Sequence, residues 1–158
     1  MTGAYVNCWN VNEHQSAALW EQYVDAREGV AVRTTVDRLH QALEPSQREF
    51  VLGRVDYIDY DEDMIPQGNL PAIYHKRESF EHENEFRASY FSEEDDDEDL
   101  GSGFYVDVDK DTLIERVVIS PIAPDWFSDL VERVLRRYDL DCELIESKLY
   151  SAPEISIK

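Results

Sequence analysis

The twelve residues from Lys76 to Arg87, KRESFEHENEFR, set four glutamates and one histidine among three cations. Crowded charges of this kind suit three sorts of chemistry. A carboxyl raised by a like-charged neighbour serves as a general acid or base, an arginine beside it holds an anion, and histidine with carboxylate ligates a metal. On a strand, Glu83, Glu85 and Arg87 share one face, and His82, Asn84 and Phe86 the other. On a helix running to about residue 83, Lys76, Phe80 and Glu83 align. A helix-to-strand junction then brings Lys76 or Arg77 near Glu83, Glu85 and Arg87. Two arrangements fit. In one, Glu83 and Glu85 are catalytic acids in a partly buried pocket, with Lys76, Arg77 and Arg87 binding an anionic ligand. In the other, the same charges form an ion-pair network that fixes the junction. Trp20 and Tyr23 are candidates to line a cleft beside it.

Other constellations are weaker. Glu83-x-Glu85 at the start of a strand resembles the acidic motif of mono-ADP-ribosyltransferases. There a glutamate polarises the ribose 2′-hydroxyl and stabilises an oxocarbenium-like transition state. Such enzymes also use a first-strand Arg or His and a Ser or Tyr on a second strand, whereas the first strand here offers Tyr5, Asn7 and Trp9. His75, Glu78 and His82 fall on one helical face, but i to i+7 spans about 10 Å along the axis, too far for two imidazoles to share one ion. Cys8 lies near His14 in an apolar strand and reads as core, with Cys142 also a buried free thiol. Arg133, Arg136 and Arg137 read as a helix C-terminus facing its own dipole. The chain has no Gly-rich dinucleotide fingerprint, phosphate loop or G-x-S-x-G elbow, and nothing identifies a metal or cofactor.

The elements that position these residues follow from periodicity. AYVNCW alternates and predicts a strand. Asn12–Gln15 matches a capping box opening a helix through Trp20 and Tyr23, with Gly29 as its C-cap. Val30 to Thr35 predicts a strand, and Leu39 and Leu43 a short helix broken at Glu44-Pro45-Ser46. Phe50 to Tyr60 alternates as one longer strand, and residues 61–71 form a loop. Residues 72–83 then predict a helix, Glu85 to Phe91 a strand, and Phe104 to Val108 another. Asp109 caps a short helix through Leu113, Val117 to Ile119 is a strand, and Pro124 opens the last long helix. The core stripe of that helix is Trp126, Phe127, Leu130, Val131, Val134, Leu135 and Tyr138, and Cys142 to Ile145 closes the fold as a strand. Trp9, Trp20 and Trp126 are expected to knit the core. These elements point to an α+β fold with a mixed central β-sheet flanked by several helices. A chain of 158 residues reads as a single domain, with an acidic flexible loop over 92–103 and a frayed tail over 151–158.

Composition narrows the setting. Thirty-five Asp and Glu face fifteen Lys and Arg, for a net charge of −20, and only Lys76, Lys110, Lys148 and Lys158 are lysines. Removing the run Glu93–Asp99 still leaves −13, so the bias runs along the whole chain. Self-repulsion on that scale destabilises a fold at about 0.1 M salt, where the Debye length is about 10 Å. At about 1 M it shrinks to about 3 Å, so a dense carboxylate surface with few lysines fits a salt-in cytoplasm. The expected setting is the cytoplasm of a halophilic archaeon. Nucleic acid is disfavoured as a partner by charge. A membrane is disfavoured because no apolar run is long enough to span it, and no signal peptide opens the chain.

Six blocks in order carry a wider resemblance: NCWNVNEHQSAALWEQY, EGVAVRTTVDRL, GRVDYIDYDEDMIPQGN, KRESFEHENEFRA, YVDVDKDTLIERVVISPIAPDWFSDLV and RRYDLDCELIESKL. Together the chain resembles the family known as domain of unknown function 2971, found across bacteria and archaea. The resemblance implies an α+β fold and an intracellular setting, and no particular reaction. Longer relatives carry an upstream hydrophobic helix and a loop of the GDPFE type. This chain opens directly on AYVNCW, so the expectation is either a short natural form or one from which a region has been lost, working with that missing segment or with a protein partner. The expected function is a binding or interaction module, the alternative an ADP-ribosyltransferase-like enzyme acting on a nucleotide-type substrate.

Overall fold

A computed structural model of the chain describes residues 3–24, 27–92 and 101–153. Most of the expected acidic loop and the end of the expected frayed tail lie outside the described residues. In chain order, strand β1 (Gly3–Asn10) precedes helix α1 (Ala17–Tyr23), β2 (Val30–Arg33) and α2 (Val36–Leu43). Then come β3 (Val51–Arg54), β4 (Asp56–Ile58), α3 (Asn69–Tyr74) and β5 (His75–Arg77). A 3₁₀ helix (Glu78–Glu83) leads into β6 (Glu85–Ser92). Helix α4 (Lys110–Leu113), β7 (Arg116–Ile119), α5 (Asp125–Arg137) and β8 (Glu143–Glu146) complete the order. The class is α+β. In place of one central sheet there are three small ones, ordered β1-β6-β3, β2-β7-β8 and β4-β5. The chain divides into two compact units, Met1–His14 with Ser46–Asp107, and Gln15–Pro45 with Val108–Lys158.

In the first unit β6 is central, antiparallel to β1 with Cys8 opposite Arg87, and antiparallel to β3 with Gly53 opposite Arg87. Phe86, Ala88 and Ser89 are buried along it. The long strand expected over Phe50 to Tyr60 bends at the buried Val55, so that β3 stays with β6 while β4 leaves to pair in parallel with β5. The tyrosine of α3 lies on β3: Tyr74 donates to the Val51 carbonyl at 2.8 Å and reaches Ser89 Oγ at 3.0 Å. Only glycine admits that approach, since a Cβ on Gly53 would meet Tyr74 Cε1 at 2.9 Å. Phe104 is not in a strand as expected. It packs edge-on to Tyr5 and Tyr90, with centroids 5.2 and 5.3 Å away, under the Arg48 guanidinium at 4.7 Å. Ring contacts hold the segment where a ladder was expected.

In the second unit β7 is central, antiparallel to β2 and parallel to β8, with α5 as the crossover between the parallel pair. Val117, Val118 and Ile119 are buried in succession, as a strand covered on both faces requires. Leu39 and Ala42 of α2 add to this core. Helix starts follow local chemistry. Ser16 accepts from the Leu19 amide, Thr35 from that of Arg38, and Asp109 from that of Asp111. The capping box expected at Asn12 is therefore displaced to Ser16, and α1 ends at Val24, short of Gly29.

The largest departure in this unit concerns α5. Its expected core stripe is only half engaged: Phe127, Val131 and Leu135 are half-buried, whereas Trp126 is 55% exposed and no α5 residue is buried. Trp126 thus does not knit the core. Trp9 and Trp20 are half-buried, with the Trp20 indole donating to Gln15 Oε1 at 3.2 Å.

Candidate functional site

The expected helix over 72–83 stops at Tyr74. His75 takes extended torsions (φ −119°, ψ 138°), and β5 pairs with β4 so that Lys76 lies opposite Tyr57. Alternation on β5 then separates neighbours that a helix would have kept closer. Lys76 turns inward, and Arg77 turns out to stack over the Tyr60 ring at 4.5 Å. The 3₁₀ helix delivers Glu83 and ends at Asn84, which adopts left-handed torsions (φ 43°, ψ 58°). The Asn84 side chain donates to the Val11 carbonyl, and Val11 returns its amide to the Asn84 carbonyl at 2.8 Å. That exchange fixes where β6 starts. Asn10 Nδ2 adds a bond to the Glu83 carbonyl at 2.7 Å.

The result is a part-buried tetrad. Lys76 Nζ bonds Glu83 Oε2 and, at 2.9 Å, Glu85 Oε1. Arg87 closes on the other Glu85 oxygen through Nε at 2.6 Å and Nη2 at 2.5 Å, and its Nη1 donates to the Ile73 carbonyl. Glu83 and Glu85 are 3% and 5% exposed, so both carboxylates are out of water. Two carboxyls are matched by two cations, the condition under which burial of charged groups is tolerable. Lys76 also sits over the Phe80 ring at 4.6 Å, which covers the outer side of its ammonium.

Electrostatics follow from this packing. Burial pushes the Glu85 carboxyl up, but hydrogen bonds with Glu83, Lys76 and Arg87 outweigh it and hold it down at about 2. Burial lowers Lys76, and its bonds to Glu83 and Glu85 more than reverse that, so its ammonium is raised. Tyr57, whose hydroxyl accepts the Glu85 amide at 2.8 Å, is raised by burial and by the two carboxylates. Burial, and then the charge of Glu85, also raise the Cys8 thiol, with Arg87 pulling the other way. Cys8 is a free, exposed cysteine, not the core thiol expected, and Cys142 is free and half-buried.

Four of the expected site residues therefore meet: Lys76, Glu83, Glu85 and Arg87. Arg77 is outside the tetrad, and Trp20 and Tyr23 belong to the second unit, so the cluster is built without them. The helical face once shared by His75, Glu78 and His82 does not form. His75 lies on β5 with its Nδ1 2.6 Å from the Pro71 carbonyl. Among the described residues, no group of three or more His, Cys, Asp or Glu side chains is placed to hold a metal ion. No described helix is long and apolar enough to cross a membrane.

Sequence reasoning missed Tyr57, Cys8 and Asn10 as neighbours of the tetrad. The alternation in DYIDY puts Tyr57 out of phase with Asp56, and AYVNCWN puts Cys8 and Asn10 in phase, but only strand register says what they face. Comparisons with protein-family models, with curated proteins and with solved structures return no match.

Proposed function

We propose that this chain is a binding or interaction module of a salt-rich cytoplasm, related to the domain of unknown function 2971 family, and that the tetrad holds its fold together. One observation carries the reading. Both candidate catalytic carboxylates are buried, and Glu85 has a cation on each of its oxygens. An ADP-ribosyltransferase-like enzyme needs a glutamate free to accept from a ribose hydroxyl. To do so here, Glu85 must give up Lys76 or Arg87 inside a desolvated site, where an unpaired charge costs several kcal/mol (about 3 to 5). The cations are committed likewise, so Lys76 and Arg87 serve the fold and not an anionic ligand.

The test is nicotinamide release from NAD, followed for the parent chain and for Glu85→Gln. The expected result is the same background rate for both, together with a lower unfolding midpoint for Glu85→Gln. Release by the parent chain that Glu85→Gln abolishes while still folded overturns the reading in favour of the enzyme.

A further inference from the structure

We propose that α5 is the surface through which two copies of this chain pair, antiparallel about a two-fold axis. The proposal rests on the interaction-module reading and names its partner. At about 100° per residue, the apolar side chains of α5 sweep an arc of about 180°. One half of that arc, Phe127, Val131 and Leu135, is half-buried. The other half is a ridge at i, i+4 spacing: Trp126, Leu130 and Val134, continued by Tyr138, are 55%, 39%, 44% and 65% exposed. Scattered exposed apolar residues are ordinary, but a continuous i±4 ridge is the feature by which helices pack on one another.

Charge identifies the occupant. The chain carries −20, so a second copy is repelled from most of its surface. Helix α5 is different, because Asp125, Asp129 and Glu132 are balanced by Arg133, Arg136 and Arg137. It is a neutral strip on an anionic protein. The order of its charges also matters, since every acid precedes every arginine. Parallel pairing sets like charges against like. Antiparallel pairing sets the acidic half of each helix against the basic half of the other, which is the self-complementarity a two-fold interface needs. With the axis between Val131 and Glu132, Trp126 faces Arg137 of the second copy, a cation–π pair made twice. Asp129 lies between Arg133 and Arg137 of that copy. A helix of 13 residues is about 20 Å long, so the interface is small and the association reversible.

Sedimentation velocity of the intact chain from about 5 to 500 µM, in about 0.2 M and 2 M KCl, reads this out. A reversible dimer is expected, stronger at high salt as the distant carboxylates are screened. Leu130→Glu and Trp126→Ala should weaken it at least tenfold with unchanged circular dichroism. Asp129→Arg and Arg133→Asp should each weaken it. The two reversals together should recover part of the loss, because positions 129 and 133 again face each other with opposite charges in the antiparallel arrangement while Arg137 keeps its place on Trp126. A parent chain that stays monomeric throughout overturns the proposal, as does an association unmoved by Leu130→Glu or one in which the double reversal recovers nothing. None of these failures touches the interaction-module reading, which stands or falls on nicotinamide release.

Discussion

Replacing Lys76 with methionine tests whether the tetrad holds the first unit together. Methionine keeps most of the side-chain length and removes the charge, leaving Glu83 and Glu85 side by side at 3% and 5% exposure with one cation between them. Removing one partner of a buried ion pair costs about 3 to 5 kcal/mol, because the remaining charge stays desolvated. Lys76 is 25% exposed at its side chain, so the lower end applies, about 3 kcal/mol. In a chain of 158 residues that lowers the unfolding midpoint by about 6 to 12 °C. Adding Glu83→Gln removes the stranded carboxylate and leaves Glu85 with Arg87. The double variant should recover about 1.5 kcal/mol or more of the loss, a coupling that only directly interacting groups show.

The assay is chemical denaturation at neutral pH in about 2 M KCl, where surface charge is screened and the buried pair is not. Trp20→Phe and Trp126→Phe in the background leave Trp9 as the fluorophore, and Trp9 belongs to the first unit. A second signature concerns pH. Two carboxylates sharing a single cation disfavour the doubly charged state, so one of them binds its proton more tightly than in the unfolded chain. A raised carboxyl contributes stability below its unfolded value and loses it as pH rises. The Lys76→Met variant should therefore gain stability relative to the parent as pH falls from about 7 toward 5. Costs for Lys76→Met and Glu83→Gln that add to within about 0.5 kcal/mol would refute the reasoning, because additivity means the groups do not interact.

Three further outcomes follow from the same geometry. The Glu85 carboxyl is lowered from an ordinary value of 4.5 to about 2, so its contribution is fully present above the ordinary value and disappears as pH falls through about 2. That contribution is about 3 kcal/mol, and acid titration of Glu85→Gln should lack it. The Cys8 thiol is raised by burial and by Glu85 against the pull of Arg87, so Glu85→Gln in a Cys142→Ser background should label faster with a thiol reagent at neutral pH, and unchanged labelling contradicts the assignment. Net charge of −20 predicts that the melting midpoint climbs steadily between about 0.1 M and 2 M KCl, and a flat response removes the halophilic assignment.

How far the site was legible depends on which interaction decides each element. Local rules hold where the chain decides locally: β1, β2, α2, α4, β6, β7 and β8 fall where alternation, the spacing of Leu39 and Leu43, Asp109 and the apolar run at Val117 place them, although Thr35, read as strand, caps α2 instead. They fail at 72–83, where Lys76, Phe80 and Glu83 line up at helical spacing, yet the backbone turns extended at His75. Helix propensity differs among these residues by a few tenths of a kcal/mol each, whereas leaving Glu83 and Glu85 buried without Lys76 costs about ten times that. Pairing β5 with β4 is the move that brings the ammonium to them, and it depends on residues some twenty positions upstream that no local window contains. The same competition explains α5. Its periodicity identifies an apolar arc correctly but not how much of the arc its own chain covers, because coverage is a property of the neighbours and not of the helix. Membership of the tetrad was therefore nearly readable, through Glu83, Glu85, Arg87 and a nearby cation, while its meaning was not. Whether four such charges catalyse or stabilise turns on whether each carboxylate oxygen already has a partner. For Glu85 both do, and that makes the tetrad a fixed point of the fold.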